Sequence, residues 1–267
     1  MVVRQRQLAG LEGRTNDALF VAADKPQHTG KQHALVFFGG DVQDYPEEMQ
    51  MHRDNRHYLT WNLENTARIL GRQFPDKHII VVRPSRIEYK SISCYDNFVP
   101  SSNTGVPDHT PTHNALLHLE RLLQSLSSRL KSMPAAELLE AMSAPWLKEI
   151  DIEDLHKTSN RQTGAAEASQ PIDLSTEPSP EKNTLWWRNN LCLDEAQLTL
   201  VGFSKGCVVL NQFIYEFHYT KTLTPEDAHT MRFIKRIVSM CWLDGGHSGG
   251  KNTWITARSL LETLALL

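Results

Sequence analysis

The chain has 267 residues, a net charge of −3 and a pI near 6.5, enough length for one α/β domain with a full core. No basic field invites nucleic acid or an anionic membrane, and no apolar run approaches the roughly 20 residues that span a bilayer. Cys94, Cys192, Cys207 and Cys241 stand far apart without a CxxC pair, which argues for free thiols in a reducing compartment and against a structural zinc. The sequence calls for no metal and no cofactor.

Residues 1–31 are polar and aperiodic and read as a flexible leader. "MVVRQRQLAGLEGR" lacks the apolar core of a secretory signal; its arginines and scarcity of acids permit organelle import. "HALVFFGG" (33–40) is a buried strand running into a turn, and "LTWNLENTARILGRQF" (59–74) carries Leu63, Ala67, Leu70 and Phe74 at helical spacing. "KHIIVVRPS" (77–85) is a second buried strand, stopped by Pro84. Leu116, Leu119, Leu123, Leu126 and Leu130 mark another helix face. The stretch 132–184 opens with the helical "PAAELLEAM" and becomes Ser/Thr/Glu/Pro-rich, a partly disordered insertion. "QLTLVGF" (197–203) is a third strand, followed by a helix with Cys207, Leu210, Ile214 and Phe217 inward. Thr224 has the form of an N-cap before Pro225, residues 233–246 give a fourth strand, and "ARSLLETLALL" a last helix. This alternation implies one α/β domain over 32–267, with a mostly parallel sheet, helices on both faces, and ligands beyond the carboxyl ends of the strands.

Three special turns fall on that rim. The pattern Gly202–Phe203–Ser204–Lys205–Gly206 arises by chance in about one chain in ten, but here it lies directly between a strand and a helix, the setting of a nucleophile elbow. There Ser204 would project its Oγ from a strained turn, and the two glycines would let strand and helix close up. The plainer alternative is a tight βα turn. In an elbow architecture one oxyanion donor is the N–H of Lys205, and the other comes from the loop Gly39–Gly40–Asp41. On the third turn, "WLDGGHSGGKN", Asp244 is a candidate orienting acid and His247 a candidate base, although a triad normally draws its histidine from a later strand. The same turn mimics a P-loop through Gly245, Gly250 and Lys251, with Asn252 where Ser or Thr should hold Mg²⁺.

Together, "GGDVQDY", "WNLENTARIL", "SCYDNFV", "LVGFSKGCVVLNQ" and "WLDGGHSGG" resemble the mitochondrial family named in humans for an open reading frame on chromosome two, over most of residues 33–254. That family is similar to serine hydrolases of the α/β-hydrolase fold. The resemblance implies that fold, a mitochondrial address and Ser204 as nucleophile, and it names no substrate. Members continue beyond the point where this chain stops, so the chain reads as C-terminally truncated, without the strand that delivers a catalytic histidine. The expected function is ester, thioester or other acyl hydrolysis of a small-molecule acyl substrate through Ser204, possible protein partners being left open. The rival is a catalytically dead hydrolase scaffold used for binding or assembly, and a lesser alternative is nucleotide binding at 245–251.

Overall fold

A computed structural model describes residues 2–25, 30–143, 184–245 and 254–265. In chain order the described elements begin with β1 (Val3–Ala9), β2 (Thr15–Val21), β3 (His33–Phe38), α1 (Pro46–Met51), a 3-10 stretch Asn55–Trp61 and α2 (Leu63–Gln73). They continue with β4 (His78–Val82), the short strands β5 (Arg86–Glu88) and β6 (Ile92–Cys94), α3 (Ala115–Ser132) and α4 (Ala135–Ser143). After these come β7 (Gln197–Phe203), a 3-10 turn Ser204–Gly206, α5 (Cys207–Leu223), α6 (Ala228–Ile234), β8 (Ile237–Leu243) and α7 (Arg258–Ala265).

Six strands form one sheet in the order β1-β2-β4-β3-β7-β8. The β4–β3, β3–β7 and β7–β8 pairs are parallel, and β1–β2 and β2–β4 are antiparallel. The four strands expected from apolar runs are β3, β4, β7 and β8. Their alternation divides the core in two: Ala34, Val36, Phe38, Ile80 and Val82 face α3 and α5, while Leu35, Phe37, Ile79 and Val81 face Leu63 and Ala67 of α2. β3, β4 and β7 are covered on both faces and read as unbroken apolar runs, which is why the sequence announces them, whereas β8 has an apolar run but no buried residue.

Three expectations are corrected. Residues 3–21 are not a flexible leader but an integral hairpin of the sheet, with Val3, Leu8, Ala18, Leu19 and Phe20 buried. A register shift between Gln5 and Leu8, with Gln7 at φ +50°, breaks the period-2 pattern and makes β1 look aperiodic. The N-cap before α6 is Asp227, whose carboxylate accepts from Thr230 N, and not Thr224. Helix α6 then takes residues 228–234, so the fourth strand starts only at Ile237. The insertion expected over 132–184 includes α4, and its remainder from 144 to 183 lies outside the described residues.

The hairpin is keyed into the body by a neutral histidine. His118 on α3 is fully buried; its Nδ1 accepts from Leu11 N at 3.1 Å and its Nε2 pairs with Asn16 Oδ1 at 2.9 Å. Gly10 fits against it because a Cβ there would stand 2.1 Å from the ring. At the other end of β2, Ala23 N donates to Nδ1 of buried His78 at 3.1 Å. Burial pushes His118 down to about 3, with Arg14 adding to the effect, and pushes His78 down to about 4. In the unfolded chain each would titrate near 6.5, so acid favours the unfolded state: stability is intact above that value and falls as pH drops toward the folded values. Urea unfolding at pH 7 and pH 5 should therefore show a loss of about 2 kcal/mol per histidine, and His118→Gln should remove about half of that slope. A flat profile would contradict neutral burial.

Candidate functional site

The expected elbow stands at the carboxyl end of β7. Ser204 has φ +48°, the left-handed region that L residues other than Asn and Asp seldom visit, at a cost of roughly 1–2 kcal/mol. Strand and helix meet so closely that a Cβ on Gly202 would lie 2.9 Å from the backbone of Cys207. A Cβ on Gly206 would lie 2.0 Å from the carbonyl oxygen of Phe38, at the end of β3. Both positions thus exclude any side chain, which explains the glycines at either end of the motif. Ser204 itself is partly exposed, and α5 aims its amino end, with its partial positive charge, at the turn.

The loop after β3 lies against this turn. A Cβ on Gly40 would be 3.0 Å from Ser204 Cβ and 3.0 Å from Phe203 Cδ1. The Gly40 N–H is already used: it donates to Gln43 Oε1 at 2.8 Å, while Gln43 Nε2 donates to Trp61 O at 2.7 Å. The N–H groups of Asp41 and Lys205 have no acceptor among the described residues. Every neighbouring group in the loop is held. Tyr95 OH donates to Gly39 O and Ser93 Oγ to Gly40 O, each at 2.9 Å, while Ser93 N donates to Asp41 Oδ1 at 2.8 Å. Val42, a β-branched residue at φ +62°, is pinned by its N–H on Ser91 O at 2.7 Å. Two residues on, Asp44 receives Arg83 in a bidentate pair at 2.5 and 2.9 Å.

Sequence reasoning assigned Lys205 a backbone role only. Its side chain is 5% exposed, and the ammonium donates to Gly105 O. Gly105 has φ +74°, and a Cβ there would meet Ile92 Cγ2 at 2.7 Å. A buried cation thus ties the loop around 101–107 to the residue that follows Ser204. Ser93 and Tyr95 were also missed as loop anchors, although they lie within the "SCYDNFV" motif.

On the third turn, Asp244 is exposed, at φ +45°, just beyond β8. It lies close enough to the elbow for its charge to act on Cys207, whose thiol is pushed up to about 11, first by burial and also by Asp244. The Cys207 Sγ contacts Gly202 O at 3.1 Å and Leu243 O at 3.7 Å, joining the ends of β7 and β8. One rim therefore carries Ser204, Lys205, Gly39, Gly40, Asp41 and Asp244. His247 and the P-loop-like residues Gly250, Lys251 and Asn252 lie outside the described residues. Among the described residues no group of three or more His, Cys, Asp or Glu is placed to hold a metal, and no helix is long and apolar enough to cross a membrane.

The strain at Ser204 yields a prediction that needs no substrate. Ser204→Gly should raise unfolding stability by about 1 kcal/mol, whereas Gly206→Ala should be strongly destabilising because its Cβ has nowhere to go. Urea titrations of the two variants measure both, and a destabilised Ser204→Gly would contradict the strained turn.

Comparison with known proteins places the chain among relatives. The sequence profile of the C2orf69 family matches residues 4–267. The chain is 38% identical over 253 residues to the mitochondrial protein C2orf69 homolog of Mus musculus, covering 94% of this chain and 66% of that protein. It is 36% identical over 244 residues to mitochondrial protein C2orf69 of Homo sapiens, covering 91% and 60%. The Danio rerio homolog is 32% identical over 236 residues, covering 88% and 55%. The chain thus spans 55% to 66% of the length of these curated relatives. No solved structure matches. By both the extent of the profile match and the identity to these proteins, the chain belongs to the C2orf69 family.

Proposed function

We propose that this chain is a serine hydrolase of the α/β-hydrolase type, working in the mitochondrion, that cleaves an ester or thioester by acyl transfer to Ser204. The observation that carries the reading is the left-handed Ser204 between β7 and α5, flanked by two glycines that no larger residue can replace. The sheet supports it as well: β7 lies between β3 and β8 in the parallel part of the sheet, so the elbow stands at the carboxyl end of a parallel strand, where α/β enzymes gather their reacting groups. The mitochondrial address follows the names of the relatives.

In this reading Ser204 Oγ attacks the carbonyl carbon, and the carbonyl oxygen becomes an oxyanion that receives the N–H of Lys205 and of Asp41. Gly40, its N–H taken by Gln43, contributes closeness and no donor. The C–O or C–S bond then breaks, and the proton that left Oγ goes to the departing alcohol or thiol. Water attacks the acyl-serine next, releasing the acid and returning a proton to Oγ. The carriage of that proton belongs to a histidine base oriented by Asp244, with His247 the candidate. Loss of one oxyanion donor commonly costs 10²–10³ in rate, so the fixed loop 39–44 matters as much as the nucleophile.

A fluorophosphonate probe, which labels only activated serines, tests the proposal. The wild type should be labelled, and Ser204→Ala should lose the label completely. A folded wild type that takes no label would overturn the hydrolase and leave a binding scaffold.

A further inference from the structure

The short strand β6 serves both segments that carry the candidate oxyanion donors, one from each of its faces. Ser93 and Tyr95 bond to the loop after β3. Ile92 and Cys94 turn the other way, toward Gly105, where an added Cβ would stand 2.7 Å from Ile92 Cγ2 and 3.1 Å from Cys94 Sγ. A peptide unit is planar and trans, so a C=O and the N–H of the next residue point in opposite directions. Fully buried Ser93 donates its Oγ to Gly40 O at 2.9 Å, and thereby fixes where the Asp41 N–H points. Its own N–H holds the Asp41 carboxylate at 2.8 Å. Across the site, Cys207 N donates to Ser204 O, which fixes the direction of the Lys205 N–H by the same rule.

The spacing between these two donors needs a separate restraint, and the Lys205 side chain supplies one. Its ammonium is buried and donates to Gly105 O, with no ion pair among the described residues. Gly105 is a fixed post. Its N–H donates to Ser102 O at 2.8 Å, closing a turn on the loop. Arg86 of β5, paired with Asp96 at 2.8 Å, reaches Ser101 Oγ at 3.2 Å and Ser102 O at 3.3 Å. Strand β5 pairs with β6, so the tie from Lys205 ends on the same two-stranded unit that holds Gly40.

We infer that Ser93 is a positioning residue of the oxyanion site, aiming the Asp41 N–H, and that the Lys205 ammonium sets that donor's distance from the nucleophile by tying the turn to β5 and β6. The inference rests on the hydrolase reading and adds two side chains to it, both acting through backbone. A donor displaced by about 1 Å can cost a hundredfold in rate, so a tie of this kind acts on the transition state and leaves ground-state binding alone.

Labelling by a fluorophosphonate over a range of concentrations separates the limiting rate from the affinity for the probe. In Ser93→Ala the limiting rate should fall about tenfold or more, with the half-saturating concentration unchanged. Lys205→Met puts an apolar chain of similar length in a buried place, so it should fold at least as stably and show the same split. Because both changes release one restraint, the double variant should be no slower than the slower single one. Unchanged limiting rates, or a double variant slowed by the product of the two factors, overturn the inference. Amide exchange at Gly40 and Val42 reads the hold on the loop without chemistry and should quicken about tenfold or more in both variants. Unchanged exchange overturns the inference whether or not Ser204 is labelled, whereas a wild type that takes no label overturns the hydrolase reading.

Discussion

The rim of this sheet depends on one close approach. The first turn of α5 reaches the end of β3 so nearly that the place of a Gly206 side chain is filled by the Phe38 carbonyl. Close-packed interiors do not yield to a new carbon atom without moving backbone. That contact fixes where the helix begins, and with it the direction of its positive end. It also brings the loop after β3 against the turn, so closely that a Cβ on Gly40 would crowd Ser204. Ser204 is left with a left-handed backbone because the chain must pass from strand to helix within a single residue.

Strain of this kind persists only where the surroundings over-determine it. Ser204 and Val42 each carry roughly 1–2 kcal/mol of left-handed backbone cost. Against it stand hydrogen bonds worth about 1 kcal/mol each, from Tyr95, Ser93, Ser91 and Gln43 to the 39–42 loop. The Arg83–Asp44 pair adds a charged anchor just beyond. Lys205 is the costlier element, an ammonium removed from water for the sake of a carbonyl at Gly105. Two separate chain segments, 91–95 and 101–107, are therefore committed to holding backbone beside one serine. The restraint falls on the parts that an oxyanion site needs to be rigid, since donors stabilise developing charge best when they need not reorganise.

What the sequence disclosed follows the same physics. Strands buried on both faces leave apolar runs, and β3, β4 and β7 were legible for that reason; β8 was legible from its apolar residues alone, none of which is buried. In the β1–β2 hairpin a bulge near Gln7 and polar residues such as Gln5 and Asn16, buried by tertiary partners, break the pattern into an apparent leader, although β2 packs Ala18 and Phe20 on one face and Leu19 and Val21 on the other. Asp227 displaced Thr224 as a cap because both are followed by residues that suit a helix start, and only the backbone decides between them. At the site, Gly202, Ser204 and Gly206 were legible because their requirement is local. The capture of Gly40 N–H by Gln43 and the anchoring of Lys205 on Gly105 depend on residues 3 and 100 positions away, for which no spacing rule exists. The sequence reading therefore named Gly40 among the oxyanion loop donors, whereas its N–H is taken by Gln43 and the proposal passes that role to Asp41.

The central claim is that Ser204 is a nucleophile facing two prepared donors, and a crystal structure of the phosphonylated protein tests it most directly. The account predicts a single adduct on Ser204 Oγ whose phosphonyl oxygen lies within about 2.7–3.1 Å of the Lys205 and Asp41 nitrogens. A phosphonyl oxygen turned to solvent, or an adduct on another residue, would contradict it.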